Sequence, residues 1–89
     1  MPRFYFHLCD GTDVLLDADG REIRADMVAA VSLDEARAII AADARNGHIF
    51  LDQSIEVHDS GGEVVHRVPF EDAVRVTHAA VAAAHLRSR

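Results

Sequence analysis

Three side chains that could do chemistry alternate near the start of the chain: Tyr5, His7 and Cys9, within the run MPRFYFHLCDG. A thiol beside an imidazole suggests a cysteine nucleophile, which needs a base within hydrogen-bond reach and a third group to orient that base. Neighbours on one strand face stand ~7 Å apart, at ~3.3–3.4 Å rise per residue, so this spacing does not make a dyad. No surrounding motif supplies the third group, although Asp10 follows Cys9 directly. A free cysteine is more often a small buried hydrophobe. Asp17, Asp19, Gly20 and Asp26 fall at positions 3, 5, 6 and 12 of a calcium-binding EF-hand loop. Position 1 would be Leu15, and losing the first carboxylate leaves a plain Asp-Gly turn as the better reading.

The six histidines show no metal-ligand spacing. His78 and His85, seven residues apart on an expected helix, would stand ~10 Å apart along its axis, too far to share one ion. His58 reads as a solvated side chain and His66 as a hydrogen-bonded histidine at the rim of an apolar face. Glu71 and Asp72 suit the positive end of a helix dipole. Gly61-Gly62 lies between two strand patterns and matches no phosphate-binding loop. These residues predict no enzyme, no metal and no cofactor.

The totals agree with a binding protein. Eighty-nine residues make a single small α+β domain over 1–89. A chain of this size buries only ~60–65% of its unfolded surface, so a second subunit would supplement a thin core. The formal charge of −6, with no Lys and no basic cluster before Arg87-Ser88-Arg89, argues against nucleic acid and anionic membranes as partners. No apolar run approaches a membrane span. A lone cysteine and no signal-peptide pattern make the reduced cytoplasm the expected location.

The elements that must position these residues follow from periodicity. Residues 4–9 read as a strand ending at Asp10-Gly11, and 13–17 as a second, with a short third piece after the Asp19-Gly20 turn. Ser32 and Glu35 form a capping-box pattern, which places a helix start at Ser32 rather than Asp26. Leu33, Ala36, Ile40 and Ala44 then share one face, and Asn46-Gly47 supplies the C-cap. Residues 55–68 read as a hairpin on a two-residue Gly61-Gly62 turn, with Ile55 opposite Val68, Glu56 opposite Arg67 and Val57 opposite His66. Residues 70–86 predict a second helix with a mostly small-residue arc that includes Ala73, Ala80 and Ala84. The order β-β-α-β-β-α implies a two-layer domain, a mostly antiparallel sheet with helices on one face.

Taken in order, PRFYFHL, the Asp17-x-Asp19-Gly20 turn, I-x-V-x-D-x-x-G at 55–62 and VPFEDA at 68–73 resemble the small alphaproteobacterial proteins grouped as domain-of-unknown-function family 6894. The resemblance covers roughly residues 2–76 and implies a self-contained α+β protein with no catalytic motif to carry over. The loop before Ser32 is longer than that family's, and the tail after residue 76 is peculiar to this chain. A weaker similarity, in the aromatic opening strand and the S-x-x-E-A pattern of Ser32–Ala36, is to HicB-type antitoxins. It implies a regulatory protein that binds a partner protein, although the proline-glycine motif those antitoxins place before the helix is missing.

Phe4, Phe6 and Leu8 alternate with Tyr5, His7 and Cys9, so the first strand is aromatic on both sides. The first set is expected in the core. The second, a phenol, an imidazole and a thiol, suits a partly buried face rather than an open one. Tyr5, His7 and Cys9, with Ala80 and Ala84, are therefore the candidate interface. Its expected occupant is a second copy of the chain, as a dimer, or another protein. A small-molecule pocket lined by Tyr5, His7 and Cys9 is the other reading, and it requires a concave cleft there.

Overall fold

The computed structural model describes residues 1–78. Five strands and two helices follow in the order β1 (Arg3–Asp10), β2 (Asp13–Leu15), β3 (Arg21–Glu22), α1 (Val28–Arg45), β4 (Gln53–His58), β5 (Val64–Pro69) and α2 (Phe70–Ala73), with a 3₁₀ turn at Ala25–Met27 before α1. All strand pairs are antiparallel. The sheet runs β2-β1-β4-β5, with β3 also paired to β1. The α+β class and element order are those expected.

Alternation along β1 sends Phe4 and Phe6 into the core, with Leu8 partly buried beside them. They meet Ile55, Val57 and Val68 from β4 and β5, a stripe of α1, and Phe70 and Ala73 of α2. Both helices thus lie on one side of the sheet. The helix stripe is Val28, Ser32, Ala36 and Ile40, spaced by four. Ala36, fully buried, lets the helix backbone approach the strands closely. Ala44, placed on this face by the sequence pattern, is exposed.

The helix start differs from the capping-box expectation. Ser32 lies inside α1, completely buried, and its hydroxyl donates to the Ala29 carbonyl at 2.9 Å. Glu35 accepts from Arg21 at 2.6 Å instead of reaching back to a cap. Asp26 is no cap either, since Arg24 holds its carboxylate. Burial decides this: beginning at Val28 adds a buried turn to the stripe, whereas beginning at Ser32 would forfeit it. Ser32→Ala is accordingly expected to change stability by less than ~0.5 kcal/mol in urea unfolding, because a lost intrahelical bond is offset by better helix propensity. A true N-cap would lose ~1 kcal/mol. At the other end Gly47 adopts φ +86° and donates to Ala44, as the Asn46-Gly47 signal predicts.

The 55–68 hairpin keeps the predicted pairs, Ile55 with Val68, Glu56 with Arg67 and Val57 with His66. Its turn is not the predicted two-residue Gly61-Gly62. Asp59 pairs its N–H with the Glu63 carbonyl, and its side chain accepts from Gly61 and Glu63. Gly62 takes the positive φ that such a turn needs. A bulge opposite Val57 and His58 then restores the register.

The second helix is also shorter than the 70–86 expected. It ends at Ala73, whose carbonyl accepts from Arg37 of α1 at 2.8 Å, and Val74 is extended. His78 is exposed and outside any helix. The positions Ala80, Ala84 and His85 lie outside the described residues. Among the described residues no helix is long and apolar enough to cross a membrane.

Candidate functional site

The face of the sheet opposite the helices carries Tyr5, His7 and Cys9 of β1. Strand pairing sets them beside His58, Glu56 and Ser54 of β4, in that order. Beyond them Arg67 of β5 stands opposite Glu56. The structure therefore brings the three predicted residues onto one surface. Among the described residues no helix or strand lies over it. Their partial burial comes from one another and from the β2–β3 loop: the His7 ring meets His58 edge-on at 4.5 Å between centroids and lies near-parallel to Tyr5 at 6.4 Å, and Gly20 packs against the Tyr5 ring. His58 Nε2 contacts Glu56 Oε1 at 2.8 Å.

His7 also holds a loop. Its Nδ1 accepts the Asp17 backbone N–H at 3.0 Å, while the Asp17 carboxylate accepts from the backbone N–H of Phe6 and of Gly20, each at 3.1 Å. Asp17 thus fills the rung of β1 left open between β2 and β3. Burial pushes the Asp17 carboxyl up, but the backbone donors Phe6, Gly20 and Asp19, with the nearby His7, hold its pKa below the usual value. The Asp-x-Asp-Gly turn that looked like a fragment of a calcium loop is a clasp for this strand edge. Gly20 fits only without a side chain, at φ +70° and closely against the Phe4 carbonyl and the Tyr5 ring.

The Cys9 thiol is shifted away from the thiolate form. Burial and the charge of Glu56 push its pKa up, outweighing Arg67 and a hydrogen bond with Ser54. Among the described residues no cluster of three or more His, Cys, Asp or Glu side chains is placed to hold a metal ion.

Sequence reasoning missed His58, Glu56 and Asp17 as members of this face. The hairpin register gave the Glu56–Arg67 pair, but only the long-range pairing of β1 with β4 puts Glu56 beside His7.

Two grooves lie elsewhere. One, of about 380 Å³, opens on the helix side between α1 and the β2–β3 loop. Phe6, Leu8, Ile39 and Ile55 form its floor, and Leu15 and Leu16, each 70% exposed, its lip. Arg21 sits at its end, 5.0 Å over the Phe6 ring and paired with Glu35. Another, of about 300 Å³, separates His66 from the start of α1. Neither is lined by Tyr5, His7 or Cys9.

No curated protein and no solved structure matches this chain. A family model does, from Arg3 to Glu71, and so spans β1 to the first turn of α2 while stopping short of the residue 76 that the resemblance suggested. Its span takes in the aromatic strand, the Asp17 clasp and the 55–68 hairpin, and with that match over most of its length the chain belongs to the family described as Domain of unknown function (DUF6894).

Proposed function

We propose that the protein is a non-catalytic interaction module that self-associates through the open sheet face centred on Tyr5, His7 and Cys9. The observation that carries this reading is a sheet face with half-buried aromatic and imidazole rings and no helix or strand over it among the described residues. Tyrosine is enriched at interfaces, and a phenol, two imidazoles and a thiol are a poor choice for a permanently wet surface. Glu56 and Arg67, side by side on this face, offer opposite charges that a two-fold axis between copies would pair reciprocally. The thin core adds support, since the described residues expose as many large hydrophobic side chains, ten, as the core buries apolar ones. A single unpaired cysteine suits the reducing cytoplasm.

Light scattering on a sizing column, over a hundredfold concentration range, tests the reading. The expected mass is twice that of the 9.7 kDa chain. Tyr5→Asp, which sets a carboxylate in the middle of the face, is expected to return the monomer while keeping the wild-type circular dichroism. A monomer at every concentration would overturn self-association and leave a different protein, as in the antitoxin-like reading, as the partner to seek.

A further inference from the structure

We propose that His7 and Asp17 form a proton-operated latch, in which protonation of His7 ejects the Asp17 amide, frees the loop from Leu16 to Gly20 and opens the apolar groove behind it. His7 Nδ1 accepts the Asp17 N–H at 3.0 Å, so its lone pair is in use. A proton placed there sets a donor against a donor, and the bond cannot survive. The imidazolium has a better acceptor close by in the Asp17 carboxylate, now occupied by the Phe6 and Gly20 amides. Turning to His7, that carboxylate would release both.

Few other ties hold the loop. β2 ends at Leu15, β3 is two residues long, and the Arg3 side chain reaches the Asp19 carbonyl from an exposed position. The same loop supplies Leu16, Asp17 and Gly20 to the groove wall over Phe6 and Ile55.

Charged and titratable groups face His7 from each neighbouring element. Tyr5 and Cys9 flank it on β1, Glu56 and His58 adjoin it on β4 with Arg67 of β5 beyond, and Asp17 faces it from the loop. His58 is the second imidazole against His7, so the two are told apart by substituting each. The Asp17 carboxyl is held below its usual value and the Cys9 thiol above, which moves both away from the range between about pH 5 and 8.

Amide hydrogen exchange on the ¹⁵N-labelled full chain, expressed as protection factors at pH 8 and pH 5, tests the latch. Protection at Phe6, Asp17 and Gly20 is expected to fall ~5–10-fold at the lower pH relative to Ile55 and Val57, the loss associated with about one net hydrogen bond. His7→Asn, whose amide oxygen accepts but does not titrate, is expected to keep protection at both values. His58→Gln is expected to keep the wild-type response. Equal relative protection in the wild type at the two pH values would overturn the latch without any variant. A pH response retained in His7→Asn, or abolished by His58→Gln, would overturn it as well.

Discussion

Phe70→Ala is expected to lose ~3–5 kcal/mol of stability, the range for a buried aromatic truncation. Phe70 has no exposed surface and is the largest of the fully buried side chains. It follows Pro69 at the end of β5, and α2 turns it under α1 to share the core with Ile55 and Ala36. A domain of this length holds ~4–13 kcal/mol in all, at ~0.05–0.15 kcal/mol per residue. The variant should therefore be substantially unfolded at 37 °C and show a much lower urea midpoint. Phe50→Ala is the contrast. Phe50 is 39% exposed and stacks on His48 at 3.9 Å in the α1–β4 loop, and its loss should move the midpoint little. Equal midpoints for the two variants would refute the placement of the core under VPFEDA.

Gly20→Ala is expected to cost ~2–5 kcal/mol. About 1–2 kcal/mol comes from holding alanine at a left-handed φ, and ~1–3 kcal/mol from overpacking. An added Cβ would lie 2.8 Å from the Phe4 carbonyl and 2.9 Å from the Tyr5 ring. The ring can move, but the carbonyl belongs to the central β1 and cannot. Gly11→Ala isolates the two contributions, because Gly11 has φ +59° with nothing within 4 Å of the added carbon. Only the backbone cost, ~1–2 kcal/mol, should appear there. If both variants lose the same amount by urea unfolding, Gly20 is a turn residue and not a close-packed one.

What was legible in the sequence was local and periodic. Period-two alternation placed Phe4 and Phe6 inside and Tyr5, His7 and Cys9 on the other face, while the pairing of Ile55 with Val68 was read from a two-residue turn that the structure replaces with an Asp59–Glu63 turn and a bulge. The helix and clasp errors share a physical origin, a residue outside the local pattern settling a local choice, whereas the hairpin turn was decided locally by Asp59. Ser32-x-x-Glu35 is a valid cap and an equally valid mid-helix pair; the core contact of Val28, four residues earlier, selects the second. The last carbonyl of α2 meets Arg37, thirty-six residues back in the chain, a contact no local pattern shows. Asp17 carried a turn signal, but its role on β1 needs the loop folded against Phe6 and His7. The family match covers Asp17, Ser32 and Arg37 and names no activity for them. The site was half legible: its β1 members are neighbours in sequence, and its β4 members meet them only through the sheet.

The Asp17 carboxylate seated on the Phe6 amide has a consequence for how copies of this chain can meet edge to edge. An open strand edge is a template for another chain, and proteins guard it. On one side of this sheet the edge is broken into three residues of β2, a side-chain plug and two residues of β3, too short and uneven to receive a long partner. On the other side, among the described residues, β5 presents six in a row. The ribbon therefore has one receptive end and one blunt end. Two copies that join through β5 leave only blunt ends outward, so growth by that route terminates as a pair and cannot run on into a fibre.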